Sequence, residues 1–240
     1  MKPKFEPDAK YQPDSFSFSG KKAVNDILAK YPSNQARSAI MPLLDLAQRQ
    51  VAKEGAKAKK PYGGWIPRAA MDQIANIVGV KPIKVYEVAT FYSMYKLAPV
   101  GKYLVQCCTT TPCWLRGSAD IVKACEKASG AHMGETSKDG LFTLEEVECL
   151  GACVNAPMVQ INDDYYEDLT PEIMTDVVTA LKKGKDVPVG SQTGRKGSMA
   201  QNGPTSLEEL AKKEKMHNPE ATYGPKIICL GEKQLLPALD

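Results

Sequence analysis

Four cysteines in two close pairs are the residues of this chain with the clearest potential for chemistry. Cys108 and Cys113 are separated by four residues and Cys149 and Cys153 by three, with 35 residues between the two pairs. Thiolates bind zinc and iron–sulfur centres, and four of them complete either kind of site. The pattern therefore predicts one metal centre that is built from two loops.

The spacing favours an iron–sulfur cluster, while zinc and redox-active thiols remain open. Structural zinc sites centre on cysteines separated by about two residues. A 2Fe–2S cluster is wider than one ion, and each of its irons needs its own pair of thiolates, which suits longer loops. Thr109, Thr110 and Thr111 offer hydrogen-bond donors to a negatively charged cluster. Gly151 allows the second loop to turn its N–H groups inward.

The other cysteines and the two histidines are not predicted to be ligands. Successive side chains of a strand point to opposite faces, so Cys107 and Cys108 cannot both face a cluster. Cys107 is therefore expected in the core, and Cys125 is expected to fill the core from a helix face. Cys229 lies near the C-terminus and is expected to pack there or to contact a partner. Both histidines lie in polar stretches without a ligand spacing.

Composition narrows the class of protein. The chain has 240 residues, 43% of them apolar, and a net charge of +3 with scattered basic residues, so nothing indicates a nucleic-acid binder. No apolar run reaches the length of about 20 residues that a membrane helix needs. The seven cysteines and the lack of a secretory signal favour a reducing compartment, which disfavours disulfides. No nucleotide-binding glycine motif or Ser–His–Asp set is visible, so an electron carrier within a larger assembly is the simplest interpretation.

The elements that must position the two loops are predicted to form an α+β chain in four parts. Residues 1–20 are an extended arm, 21–98 a helical bundle, 99–184 an α/β domain, and 185–240 an extended tail that orders only on a partner. Within the helical part, the polar stretch after Val51 is expected to be a loop. Further helices are expected to start at Pro67 and at Pro82. Gly79 is expected to cap the C-terminal end of the helix that starts at Pro67.

The α/β part is predicted to follow the order β-α-β-β-β-α. Its predicted elements are a strand at Tyr103–Cys108, a helix at Ser118–Ser129 with Ser118 as N-cap, a segment at Phe142–Cys149 that is strand-like only at its end, strands at 158–161 and 165–169, and a helix at 170–183 capped by Thr170. Both cysteine pairs come just after strand ends, where such sheets place their sites.

Several stretches of the chain resemble one family. They are Glu87–Tyr95, Pro99–Tyr103, the loop Cys108–Cys113 and Val147–Pro157, and shorter matches extend the likeness from about Tyr31 to Gly184. They are similar to the small 2Fe–2S subunit of the NADH-oxidising module of respiratory complex I, NADH:ubiquinone oxidoreductase. Relatives of that subunit occur in NAD-linked hydrogenases and formate dehydrogenases.

The resemblance implies a helical domain followed by a thioredoxin-like domain in which Cys108, Cys113, Cys149 and Cys153 bind one 2Fe–2S cluster. It also implies a cis peptide bond at Pro157. The implied partner is a flavoprotein subunit that holds FMN and the NADH site, and the cluster would exchange single electrons with that flavin. The chain would be one subunit of the enzyme, without a complete active site of its own.

Three hypotheses follow, in order of preference. The first is the complex I subunit, located with other peripheral-arm subunits at the cytoplasmic face of a bacterial inner membrane, or else at the mitochondrial matrix face, without inserting into the membrane. The second is the equivalent subunit of a soluble NAD-linked hydrogenase or formate dehydrogenase. The third is a non-redox zinc module. Phe91, Tyr92 and Tyr95 are expected either to meet the partner or to fill the helical core.

Overall fold

The computed structural model describes residues 12–200, 203 and 205–213 and combines helices with one mixed sheet. The chain divides into two compact units, residues 1–103 and 104–240. The sequence prediction placed a division between residues 98 and 99, near the start of the first strand. Among the described helices, none has the length and apolar character needed to cross a membrane.

Four α-helices and a 3₁₀ segment make up the regular structure described in the first unit. They are α1 (Lys21–Leu28), the 3₁₀ segment Ser33–Ala39, α2 (Ile40–Gly55), α3 (Arg68–Val78) and α4 (Pro82–Phe91). Gly79 ends α3 in the left-handed conformation, with φ of 72°, and Pro82 occupies the first turn of α4, both as predicted. Apolar faces of these helices share one buried cluster centred on Leu43, Leu44 and Ile74.

The helix α2 is longer than the sequence predicted. The polar stretch after Val51 was expected to be a loop, but the helix continues to Gly55. Val51 and Gly55 lie four residues apart, so they share one face of the helix, and both are buried. A Cβ atom at Gly55 would come within 2.5 Å of the Tyr62 ring, so the close packing at this end requires glycine. Burial of one face therefore outweighs the polar composition.

The aromatic run at the end of α4 divides between surface and core. Phe91 is 80% exposed, and Tyr92 is also exposed, at 39%. Tyr95 is buried, and its hydroxyl donates a hydrogen bond to the Met41 carbonyl at 3.0 Å. Core filling is therefore confirmed for Tyr95, while contact of Phe91 and Tyr92 with a partner stays a prediction.

The second unit is built on a five-stranded sheet. Its strands are β1 (Tyr103–Cys108), β2 (Phe142–Val147), β3 (Val159–Ile161), β4 (Asp164–Glu167) and β5 (Gly190–Ser191), in the spatial order β2-β1-β3-β4-β5. The central strand β3 is antiparallel to both β1 and β4, and Cys107 lies opposite Val159. Helices α6 (Ser118–Ser129) and α7 (Pro171–Lys182) pack against each other. The predicted strand at Tyr103–Cys108 and helix at Ser118–Ser129 are confirmed.

Three predictions for the second unit are wrong in detail. A short helix, α5 (Thr111–Leu115), lies inside the first cysteine loop, where no element was expected. The N-cap of α6 is Gly117, in a left-handed conformation, and Ser118 is the first helical residue. The strand β2 occupies the beginning of its segment rather than the end, where Phe142 and Leu144 are completely buried in the core.

The stretch after residue 185 also differs from its prediction as an extended tail. Gly190 and Ser191 pair with β4 as a parallel edge strand, and Arg195 is buried against Asp168. A short helix, α8, spans Glu208–Lys213. Residues 190–195 are thus ordered against the sheet of their own unit. Residues 214–240, which include Cys229, lie outside the described part of the chain.

Candidate metal centre

The first cysteine pair is held at the end of the central sheet. Cys108 is the last residue of β1, and Cys113 lies in α5, whose first turn contains Pro112. Both thiols are buried. They pack with Ala156 and Met158, so that one side of the pair is closed by apolar side chains. The missed helix α5 thus turns the loop back and brings its second cysteine to the first.

The second pair lies on an exposed loop after β2. Gly151 has φ of 90°, a conformation that L-residues rarely adopt, as the predicted turn requires. Cys153 opens a 3₁₀ turn that ends at Asn155. This turn brings the Cys149 and Cys153 sulfurs to 3.4 Å from each other. Both thiols are exposed, in contrast to the first pair.

Within the first pair, the two thiols have opposite pKa shifts. Burial raises the pKa of Cys108, but hydrogen bonds from the Thr110 hydroxyl, at 3.4 Å, and from the Leu150 and Thr110 backbone lower it below the ordinary value. Burial and the interaction with Cys108 raise the pKa of Cys113 to about 12. The Cys113 thiol therefore holds its proton more firmly than the Cys108 thiol does.

The second pair shows the same asymmetry. A hydrogen bond with the Gly151 backbone lowers the pKa of Cys149, helped by the Cys153 thiol and the Thr110 hydroxyl. The interaction with Cys149 raises the pKa of Cys153. The charge of Cys108 acts on both thiols of the second pair, and Thr110 interacts with Cys108 and Cys149. The four thiols are thus electrostatically one group, with Thr110 between the pairs.

The arrangement as two pairs suits a two-iron cluster. The thiols form one buried and one exposed couple, each able to supply two thiolates to one iron. Donor type, pairing and the surrounding hydrogen bonds all fit a cysteine-bound 2Fe–2S cluster.

Cys107 and Cys125 are buried in the core, as predicted. Cys107 is buried, and its sulfur lies 3.8 Å from that of Cys125 on α6, away from the four clustered thiols. One threonine prediction needs correction, because the Thr109 hydroxyl donates to the Glu146 carboxylate at 2.7 Å. That bond ties the ends of β1 and β2 together, while the Thr110 hydroxyl lies beside the sulfurs, 3.4 Å from that of Cys108.

Sequence reasoning missed the residues that hold the second loop in place. The Tyr165 hydroxyl donates to the Leu150 carbonyl at 2.7 Å, between the two exposed cysteines. Arg195 donates to the Val154 carbonyl at 3.1 Å, next to Cys153. These contacts join residues that are 15 and 41 positions apart. No local pattern in the sequence signals either contact.

Comparison with known proteins gives the family. Residues 24–182 match the family model described as thioredoxin-like 2Fe–2S ferredoxin, which covers more than half of the chain and all four clustered cysteines. The chain belongs to this family. Membership accounts for the thioredoxin-like fold of mixed helices and strands, and the cis peptide bond predicted at Pro157 is present.

Relatives in this family have high sequence identity to the chain. NADH dehydrogenase (ubiquinone) flavoprotein 2, mitochondrial, from Dictyostelium discoideum is 47% identical over 85% of this chain and 78% of its own length. An NADH-quinone oxidoreductase subunit of Rickettsia conorii is 54% identical over 70% of this chain and 95% of its own. The corresponding protein of Rickettsia felis is 56% identical over 68% of this chain and 93% of its own.

Among solved structures, the likeness is more distant. An NAD⁺-reducing NiFe hydrogenase in its H₂-reduced state matches with a TM-score of 0.46 and 15% identity, over 59% of this chain and 24% of that one. A thioredoxin-like 2Fe–2S ferredoxin from Aquifex aeolicus matches with a TM-score of 0.32 and 24% identity, over 41% of this chain and 97% of that one. Neither likeness is close enough to carry a functional argument.

Proposed function

We propose that this chain is the electron-transfer subunit of an NADH:quinone oxidoreductase of the complex I type. The observation that carries the proposal is the match with the NADH-quinone oxidoreductase subunit of Rickettsia conorii, which extends over 95% of that protein at 54% identity. A match over nearly the whole length of a relative supports the same role and not merely a shared domain. The chain is then part of an oxidoreductase and does not carry a complete active site alone.

The cofactor of the proposed function is one 2Fe–2S cluster bound by Cys108, Cys113, Cys149 and Cys153. When bound, the cluster supplies one-electron transfer, which no protein side chain of this site provides by itself. The chain contributes the thiolate ligands, and Thr110 and the Gly151 backbone donate hydrogen bonds to the sulfurs. Burial of the first pair excludes water from one side of the site, while the exposed second pair leaves the other side open to a partner.

The partner in this proposal is the flavoprotein subunit that carries FMN and binds NADH. Apolar side chains next to the cysteines support a protein contact at this place. Trp114, beside Cys113, is 64% exposed, and Val154, beside Cys153, is 63% exposed. Their elements, α5 and the 3₁₀ turn, are in contact. Exposed apolar residues around an open redox site are what an electron-transfer interface needs, because close approach of the partner shortens the path.

We place the subunit in the peripheral arm of the complex, at the cytoplasmic face of a bacterial inner membrane, with the mitochondrial matrix face as the alternative. Both settings have relatives at high identity, bacterial in Rickettsia and mitochondrial in Dictyostelium. The proposed domain organisation is an N-terminal arm at 1–20, a helical bundle at 21–98, the cluster domain at 99–184 and a C-terminal segment at 185–240.

Electron paramagnetic resonance on the anaerobically purified, dithionite-reduced chain tests the cluster. We expect the signal of one reduced 2Fe–2S centre and about two irons and two sulfides for each chain. A single zinc for each chain, with no iron or sulfide, would contradict the proposal. Co-purification tests the assembly: membrane-arm subunits together with the flavoprotein support complex I, whereas a nickel- or molybdenum-containing subunit would contradict it.

A further inference from the structure

A buried charge network lies directly behind the second cysteine loop. Arg195 and Asp168 form an ion pair at 2.6 Å, and their side chains are only 9% and 6% exposed. The other carboxylate oxygen of Asp168 accepts a hydrogen bond from the Ser191 hydroxyl at 2.6 Å. Both oxygens of the carboxylate are therefore used, and the pair is shielded from the screening that weakens surface ion pairs.

The network reaches the backbone of the ligand loop. One Arg195 nitrogen donates to the Val154 carbonyl at 3.1 Å and to the Asn155 side-chain oxygen at 3.3 Å. The Asn155 amide nitrogen donates to the Gly197 carbonyl at 2.8 Å, and the Asp168 N–H donates to the Asn155 carbonyl at 2.8 Å. The 3₁₀ turn that starts at Cys153 is thus held from two sides.

We propose that Arg195, paired with Asp168, is a positioning residue for the cluster. Arg195 fixes the Cys153 turn and sets the charge around that turn. The proposal rests on the proposed function, because it assigns a role toward the 2Fe–2S cluster. Arg195 acts through the backbone of Val154 and does not itself bind the cluster. Its guanidinium brings a fixed positive charge to the residue after a ligand, and Asp168 balances that charge.

The charge of the pair predicts a specific effect on the reduction potential. Reduction adds an electron to a cluster, so a nearby positive charge raises the potential and a nearby negative charge lowers it. Arg195→Gln leaves the Asp168 carboxylate without its partner, and we expect a shift to lower potential. Asp168→Asn leaves the Arg195 charge unbalanced, and we expect a shift to higher potential. The reduction potential of the double variant, Arg195→Gln with Asp168→Asn, should be close to that of wild type.

The positional part of the role is measurable without a cluster. In the metal-free full chain, hydrogen exchange of the Asn155 and Ala156 amides reports opening of the turn, because these amides donate to Ala152 and Cys153 within it. We expect Arg195→Gln to speed this exchange at least about tenfold, since the loss of one partner of a buried pair is strongly destabilising. Arg195→Lys keeps the charge but loses the forked geometry, so it should speed exchange while leaving the potential of the loaded chain near that of wild type.

The control is Lys123→Gln, which removes one partner of a surface ion pair with Asp120 at 2.9 Å, both side chains being well exposed. We expect neither exchange nor potential to change in this variant. Unchanged exchange in Arg195→Gln, or shifts of the potential in the same direction for Arg195→Gln and Asp168→Asn, would overturn the proposal. If the wild-type chain takes up no cluster, the proposed function fails, while exchange in the metal-free chain still decides whether Arg195 holds the turn.

Discussion

At the scale of single residues, the direction of each side chain decides which cysteines lie at the site and which lie in the core. Thr110 interacts with thiols of both pairs, while Cys107, the neighbour of a proposed ligand, turns away toward Cys125. Adjacent cysteines on a strand therefore have unrelated roles. Alternation of side chains across the strand separates them, as it does in any sheet.

Substitution of a proposed ligand and substitution of Cys107 should give opposite results. We expect Cys149→Ser to lose the cluster or to bind it weakly, because a hydroxyl is a poor replacement for a thiolate ligand. Cys107→Val should leave the paramagnetic spectrum and the iron content unchanged, because it exchanges one small buried side chain for another. Iron, sulfide and the reduced spectrum are measured on both variants. A cluster lost in Cys107→Val would show that the face assignment is wrong.

Tyr95 gives a prediction for the first unit under alkaline conditions. Burial raises its pKa to about 12, with a contribution from the Asp45 charge. The folded state thus holds the phenol proton more tightly than the unfolded state, whose tyrosines titrate near pH 10. The contribution of Tyr95 to stability is therefore complete below about pH 10 and is lost as the pH rises from there to about 12.

Tyr95→Phe tests this pH dependence. The variant cannot ionise at this position, so its free energy of unfolding should fall less steeply between pH 10 and 12 than that of wild type. At neutral pH the same variant should be less stable by about 1 kcal/mol, because the Met41 carbonyl loses its hydrogen bond. Denaturant unfolding followed by helix content measures both effects. Equal slopes for the two proteins above pH 10 would contradict the prediction.

At the scale of elements, prediction succeeded where an element is long enough to show its period and failed where an element is short or depends on a distant strand. The alternation in β1 and the apolar face of α6 are visible in the sequence, and both elements were predicted with their observed bounds. The helix α5 has only five residues, too few for a helical period to appear. The strand β5 has two residues and exists because β4 lies beside it, so composition alone suggested a tail.

The turn at Gly151 yields a prediction with a matched control in another element. Among the residues that the structure describes, and apart from the two chain neighbours, no atom lies within 4 Å of the position that a Cβ would occupy at Gly151 or at Gly79. Alanine at either site therefore meets backbone strain from the positive φ. We expect each Gly→Ala variant to lose about 1–2 kcal/mol in its own unit. Only Gly151→Ala should also shorten the lifetime of the cluster in the presence of a chelator. Equal lifetimes in the two variants would contradict a role for this turn in ligand placement.

At the scale of the whole molecule, the two units have different relations to the metal centre. The apolar core of the first unit is formed by its own helices, with Leu43 and Ile74 completely buried. In the second unit, two of the four proposed ligands, Cys149 and Cys153, are exposed and lie on a loop. The second unit has an apolar core of its own, with Phe142 and Met174 completely buried, so we expect a bound cluster to add order to its two ligand loops and to leave the first unit unchanged.

Removal of the cluster should therefore act on one unit only. We expect hydrogen exchange to rise in the segments 108–113 and 149–157, because four thiolates no longer tie the two loops together and free thiols replace them. Exchange in α2 and α3 should stay the same, since their protection comes from packed apolar side chains. The comparison uses the full chain before and after anaerobic chelation, followed by peptide-resolved exchange. A uniform rise across both units would show that the cluster stabilises the whole chain rather than its own domain.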